Sequence, residues 1–180
     1  MSAPFKLEPE VKGPDFTIRR LEPEADAGAY RDIRLESLRL SPEAFGSDFA
    51  SESRSPAEFF AGRLAGSHVL GGFLGDDLVG MAGMAIERPA TAAHKGFVWG
   101  VYVRQRARRM GLARSLVEAI LAHAAGKVER LNLTVERRNL DARRLYASLG
   151  FVEYGLEPDA RKIGGHYYDD ILMALDLRPD

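Results

Sequence analysis

From Gly96 to Val103 the chain reads GFVWGVYV, eight positions without one charge. A run this short and apolar, rich in β-branched and aromatic residues, predicts a strand covered on both faces. The next segment is the opposite in character. VRQRARRMGLARSL (103–116) sets Arg104, Arg106, Arg108 and Arg109 close together, then Gly111 and Ala113. GLARSLVEAILAHAA (111–125) is the strongest helix in the chain, with Leu112, Leu116, Val117, Ile120, Leu121 and Ala124 on one stripe and Gly126 as its stop.

The remaining pattern fits around this strand–turn–helix unit. FTIRRL (16–21) reads as a strand and residues 24–40 as a helix with Tyr30, Ile33 and Ser37 on one face. SPEAFGSD (41–48) is loop-like, and SPAEFFAGRLA (55–65) opens a second helix with Ser and Pro in starting order. SHVLGGFLGDDLVGMAGMAIER (67–88) predicts a hairpin about Gly75-Asp76-Asp77. LNLTVE (131–136) is a strand, NLDARRLYASLG (139–150) a helix, and FVEYGLE (151–157) and IGGHYYDDILMALDL (163–177) the last strands. The expectation is an α/β domain of about seven strands and four helices, its sheet mixed rather than doubly wound. Residues 1–14, with Pro4, Pro9, Gly13 and Pro14, read as a tail, and 15–180 as one domain.

Composition narrows the chemistry. With 25 Lys and Arg against 26 Asp and Glu, the chain has a net charge of −1, so anion binding has to be local. No cysteine is present, which removes disulfides, thiolate metal sites and a thiol nucleophile. The four histidines lack paired metal-site spacing, so no metal is expected. No stretch has the length of a signal peptide or membrane span; neither membrane nor nucleic acid is expected as a partner, and the cytoplasm is the expected location.

The first N–H groups of a helix lack internal partners and carry the positive end of its dipole, so a basic turn before α-helical residues can cradle phosphate. Small residues at Gly111 and Ala113 permit close backbone approach, and Arg108, Arg109 and Arg114 add charge. Neither a Walker A loop nor G-x-G-x-x-G is present. By itself the turn reads first as a solvated arginine loop; a nucleic-acid patch has no support from the overall charge or from aromatic interleaving.

Two segments together carry a resemblance. Arg108-Arg109-Met110-Gly111-Leu112-Ala113 resembles the acetyl-CoA loop of the GNAT superfamily of N-acyltransferases. Asn139, Ala142, Leu145-Tyr146 and Gly150-Phe151 resemble its downstream helix, and the element order matches over roughly 16–177. The resemblance implies that strands 95–103 and 131–136 run parallel and splay, with pantetheine paired near Val101, Tyr102 and Val103. Pyrophosphate would rest on the segment Arg109–Arg114, with Asn139, Ala142 and Tyr146 also around the cofactor.

The implied reaction is direct attack of a small-molecule or peptide amine on the thioester, an N-acetyltransferase acting through a ternary complex. A main-chain N–H near Val103 would meet the oxyanion. Tyr146 resembles the tyrosine that reaches the departing sulfur, and a phenol of pKa ~10 favours a hydrogen bond over full proton transfer to a thiolate of ~8.5. An alkyl amine of pKa ~10.4 is neutral in about one molecule in 2,500 at pH 7, an unassisted penalty of ~4.6 kcal/mol. Glu136 is the base candidate, directly or through water; His94, His166, Asp169 and Asp170 are others. The resemblance places the acceptor between residues 24–65 and 157–170 and allows a homodimer. A non-catalytic acyl-CoA sensor or interaction module of the same fold is the alternative.

Overall fold

The computed structural model describes residues 11–12 and 15–178. A short strand β1 (Val11–Lys12) pairs antiparallel with β2 (Thr17–Arg20). Helices α1 (Pro23–Leu40), α2 (Phe49–Ser53) and α3 (Ala57–Gly66) come next. The hairpin β3 (His68–Leu74) and β4 (Asp77–Ile86) leads to β5 (Lys95–Val103), α4 (Leu112–Ala124), β6 (Arg130–Glu136) and α5 (Leu140–Ser148). A second hairpin, β7 (Val152–Ile163) and β8 (His166–Asp176), closes the chain. The eight strands among the described residues form one sheet in the order β1-β2-β3-β4-β5-β6-β8-β7. The β5/β6 contact is parallel and the others antiparallel, the mixed sheet expected from sequence.

Two apolar clusters explain why this sheet carries so few polar residues. One joins α4 to the sheet through Leu112, Leu116, Val117 and Ile120, together with Val79, Val98 and Leu133. The other joins α1 and α3 through Tyr30, Ile33, Phe60 and Leu64, together with Met81 and Tyr102. Each face of the central strands therefore meets a helical layer, and burying either apolar layer contributes roughly 25 cal/mol per Å² removed from water. Glycines let α4 settle close: a Cβ on Gly72 would stand 2.6 Å from the side chain of Leu112.

Two differences from the sequence pattern have local causes. Helix α2 is too short to show periodicity, and its signal is a cap: Asp48 Oδ1 accepts the Ser51 N–H at 2.8 Å. Strand β7 runs on through Pro158 to Ile163, where the sequence suggested a connection. A register shift between Glu157 and Arg161, with Asp159 at φ 53°, lets the hairpin absorb the proline as a bulge. The tail expected at 1–14 lies mostly outside the described residues; its Val11–Lys12 portion is the edge strand β1.

Candidate active site

Pairing between β5 and β6 lasts only from Lys95 opposite Arg130 to Phe97 opposite Asn132. Past that point each strand stays with its outer neighbour. β5 remains paired to β4 as far as Val103, and β6 to β8 as far as Glu136. The register between β4 and β5 slips between Met81 and Gly83, and Gly100 has φ 65°. The bulge places two residues of β5 against one of β4 and bends β5 away. Inner main-chain groups of both strands are left without a strand partner beyond the split.

A cleft of ≈ 70 Å³ occupies the gap, walled by Val98–Val101 on one side and Leu133–Glu136 on the other. Helix α5 adds Asn139, Ala142 and Tyr146. The fold therefore brings Val101, Glu136, Asn139, Ala142 and Tyr146 to one place. Tyr146 is 7% exposed, and its ring meets Phe151 edge-on at 5.9 Å. No hydrogen bond engages its hydroxyl among the described residues. Burial pushes the phenol well up, so it is a neutral hydrogen-bond donor throughout the working pH range. Glu136, 6% exposed, turns one carboxylate oxygen to the Arg138 N–H at 2.8 Å. Asn139 caps α5 by accepting the Ala142 N–H at 3.2 Å.

Tyr102 and Val103 do not line this cleft. The Tyr102 hydroxyl donates to Glu36 at 3.0 Å within the α1 layer. Val103 is buried, and its carbonyl accepts from Arg108 Nε at 3.0 Å. That contact holds the turn after β5 against the strand end.

The basic turn divides into two parts. Arg104 bonds Glu36, Asp77 and the Leu78 carbonyl, and Arg106 pairs with Asp77, so both brace the fold. Arg109 carries a left-handed backbone, φ 63°, and no hydrogen bond or ion pair holds its side chain among the described residues. Gly111 caps α4 at φ 84°. A Cβ at Gly111 would meet open space, so the backbone angle is what calls for glycine there. From Arg109 to Arg114 the main-chain N–H groups make no hydrogen bond among the described residues. Leu112 is core, Met110 and Ala113 are half-buried, and Arg114 bridges Glu118 and Ser148 of α5 at 3.1 and 2.6 Å.

The other base candidates do not line the cleft, although Asp170 sits opposite Glu136 in the β6/β8 register. His94 is exposed at the closed end of the β5/β6 pair, where its carbonyl accepts from Glu129 and Arg130. His166 is exposed at the β7–β8 turn. The Asp159 N–H and then the Arg137 guanidinium hold Asp169 below the ordinary carboxylate range. Asp170, 3% exposed, is clamped by Arg161, with Arg161 Nη1 at 2.6 Å. Among the described residues no group of three or more His, Cys, Asp or Glu is placed to hold a metal ion.

A larger cavity of ≈ 520 Å³ adjoins the cleft and shares Phe45, Trp99 and Thr134 with it. Arg34, Arg63 and Arg161 line it together with Phe97. Nothing local in the sequence marks these arginines: Arg34 and its partner Glu52 lie 18 residues apart.

Comparison with known proteins places this arrangement. The family model described as the acetyltransferase (GNAT) family matches residues 31–151. A GNAT-family acetyltransferase from Streptococcus pneumoniae superposes with a TM-score of 0.79 at 26% identity, over 89% of this chain and 99% of that one. YncA, a putative acetyltransferase from Salmonella typhimurium with its cofactor acetyl-CoA, gives 0.76 at 23% identity, over 92% and 95%. A ribosomal-protein-alanine N-acetyltransferase from Brucella melitensis gives 0.74 at 25% identity, over 89% and 99%.

Proposed function

Because this chain belongs to the GNAT acetyltransferase family, we propose that it transfers the acetyl group of acetyl-CoA to the nitrogen of a small-molecule or peptide amine. The carrying observation is the row of unpartnered N–H groups from Arg109 to Arg114, at the same end of β5 as the opened strand gap. These residues fit the donor. The α4 N-terminus and Arg109 suit its pyrophosphate, and free main-chain groups near Val101 suit its pantetheine amides. A neighbour holding acetyl-CoA and a neighbour named as an N-acetyltransferase both support the reading.

When bound, acetyl-CoA supplies an activated thioester carbonyl. The protein's own groups do the rest. Tyr146 donates a hydrogen bond to the sulfur as negative charge develops there. Its raised pKa disfavours surrender of the proton. Glu136 takes the proton from the attacking nitrogen, directly or through one water. Unpaired N–H groups of β5 beyond Phe97 receive the charge on the carbonyl oxygen. With no cysteine in the chain, a cysteinyl acyl-enzyme is excluded, in keeping with direct transfer between the two substrates.

Isothermal calorimetry with acetyl-CoA, then thiol release against a panel of amines, tests this. Binding with acceptor-dependent thiol release is expected. Binding without turnover on any acceptor would instead identify an acyl-CoA sensor, and absence of binding removes the reading altogether.

A further inference from the structure

The larger cavity beside the cleft is cationic in an unusual way. Its wall carries Arg34, Arg63 and Arg161, while the carboxylates that fix them, Glu52 and Asp170, stand outside the lining and are 4% and 3% exposed. Arg34 bonds Glu52 through Nε and Nη2 at 3.0 and 2.9 Å. Arg63 reaches the same carboxylate at 3.1 Å. Two guanidinium groups thus share one carboxylate, leaving a positive charge in excess. Among the described residues Arg161 faces Asp170 alone, and its Nε is buried with no hydrogen-bond partner there.

These side chains are also held still. The Arg34 guanidinium lies 5.2 Å from the Phe45 ring centroid, and that of Arg63 lies 5.9 Å from Trp99. A ring and a carboxylate together hold Arg34 and Arg63 before any ligand arrives, which lowers the entropy cost of binding an anion. Glu136 lines the adjoining cleft. The space is therefore polarised, negative at the transfer site and positive in the acceptor cavity, with Phe45, Phe97 and Trp99 as apolar wall.

Building on the acetyltransferase reading, we propose that the acceptor is a small amino carboxylate with an apolar side chain, its amine toward Glu136 and its carboxylate against Arg34, Arg63 and Arg161. A polycationic amine is disfavoured, because the excess positive charge repels it. The same excess favours the neutral form of the attacking nitrogen. That lessens the demand on the base.

The test pairs L-phenylalanine with 2-phenylethylamine, and L-leucine with isopentylamine, so that only the carboxylate differs; spermidine is the polycation. Thiol release should show kcat/KM at least about tenfold higher for each carboxylated member, the worth of one hydrogen bond to a charged group. Arg63→Gln, which leaves the Arg34–Glu52 pair in place, should raise KM for phenylalanine about tenfold while acetyl-CoA still binds. Arg63→Lys should recover part of that loss. Equal rates within each pair, or a preference for spermidine, overturn the inference while leaving the acetyltransferase reading intact. Failure to bind acetyl-CoA overturns that reading as well. Should neither pair be acetylated, calorimetry of phenylalanine against protein saturated with coenzyme A decides. Heat that weakens in Arg63→Gln supports the inference; no heat, or unchanged heat, overturns it.

Discussion

Tyr146 presents two different parts of one side chain: its ring sits against Phe151, and its hydroxyl, unbonded among the described residues, is left at the cleft for the contact proposed with sulfur. Tyr146→Phe keeps the ring, so steady-state kinetics should show kcat falling about 10- to 100-fold with the acetyl-CoA Kd nearly unchanged. Since burial raises the phenol, a pH–rate profile should contain no alkaline limb from its ionisation below about pH 10. Glu136→Gln should lower kcat at neutral pH about 100-fold and regain activity as rising pH deprotonates the amine in solution. Loss of the same size at every pH would make Glu136 a positioning residue. Both positions at the cleft were legible in sequence, Tyr146 through its helix motif and Glu136 through its place at a strand end, while the roles given them are proposed. Arg34, Arg63 and Arg161 were not, because their meaning arises only when α1, α3 and β7 converge on one cavity.

Helix α4 was readable almost residue by residue, since a long amphipathic stripe has one way to bury itself. Its predicted face is the face packed on β3, β4 and β5. The role proposed for its first turn was read not from that stripe but from the loop residues Arg108–Ala113. Gly111 at φ 84° brings the chain into the helix in a left-handed conformation that costs other residues roughly 1–2 kcal/mol. Gly111→Val should therefore weaken acetyl-CoA binding by about tenfold or more in calorimetry, with a smaller fall in thermal midpoint. A variant that melts early yet binds normally would separate the helix start from anion recognition. Helix α2 and the far half of β7 stayed hidden for opposite reasons. One is too brief for periodicity, and the other contains a proline that argues against a strand until the bulge at Asp159 is seen.

At the scale of the molecule, the α1–α3 layer is tied by a buried ionic group. Burial raises the Glu52 pKa, but hydrogen bonds and charge from Arg34 and Arg63 outweigh it and hold the carboxyl below its usual range. The folded state therefore binds fewer protons there than the unfolded chain. The stabilisation is complete above the ordinary glutamate value and fades as acid carries the pH down through the folded one. Urea midpoints should drop from about pH 5 downward, and less steeply in Glu52→Gln. That variant should be less stable at pH 7 by about 3 kcal/mol, because two arginines lose a shared partner. The short β5/β6 ladder, ending at Phe97 and Asn132, has a consequence for the whole sheet. The sheet is almost two sheets, seamed at one end. A cofactor laid into that seam would stand in for the missing rungs, so donor binding should slow deuterium exchange along residues 98–101 and 133–136 and join the halves mechanically.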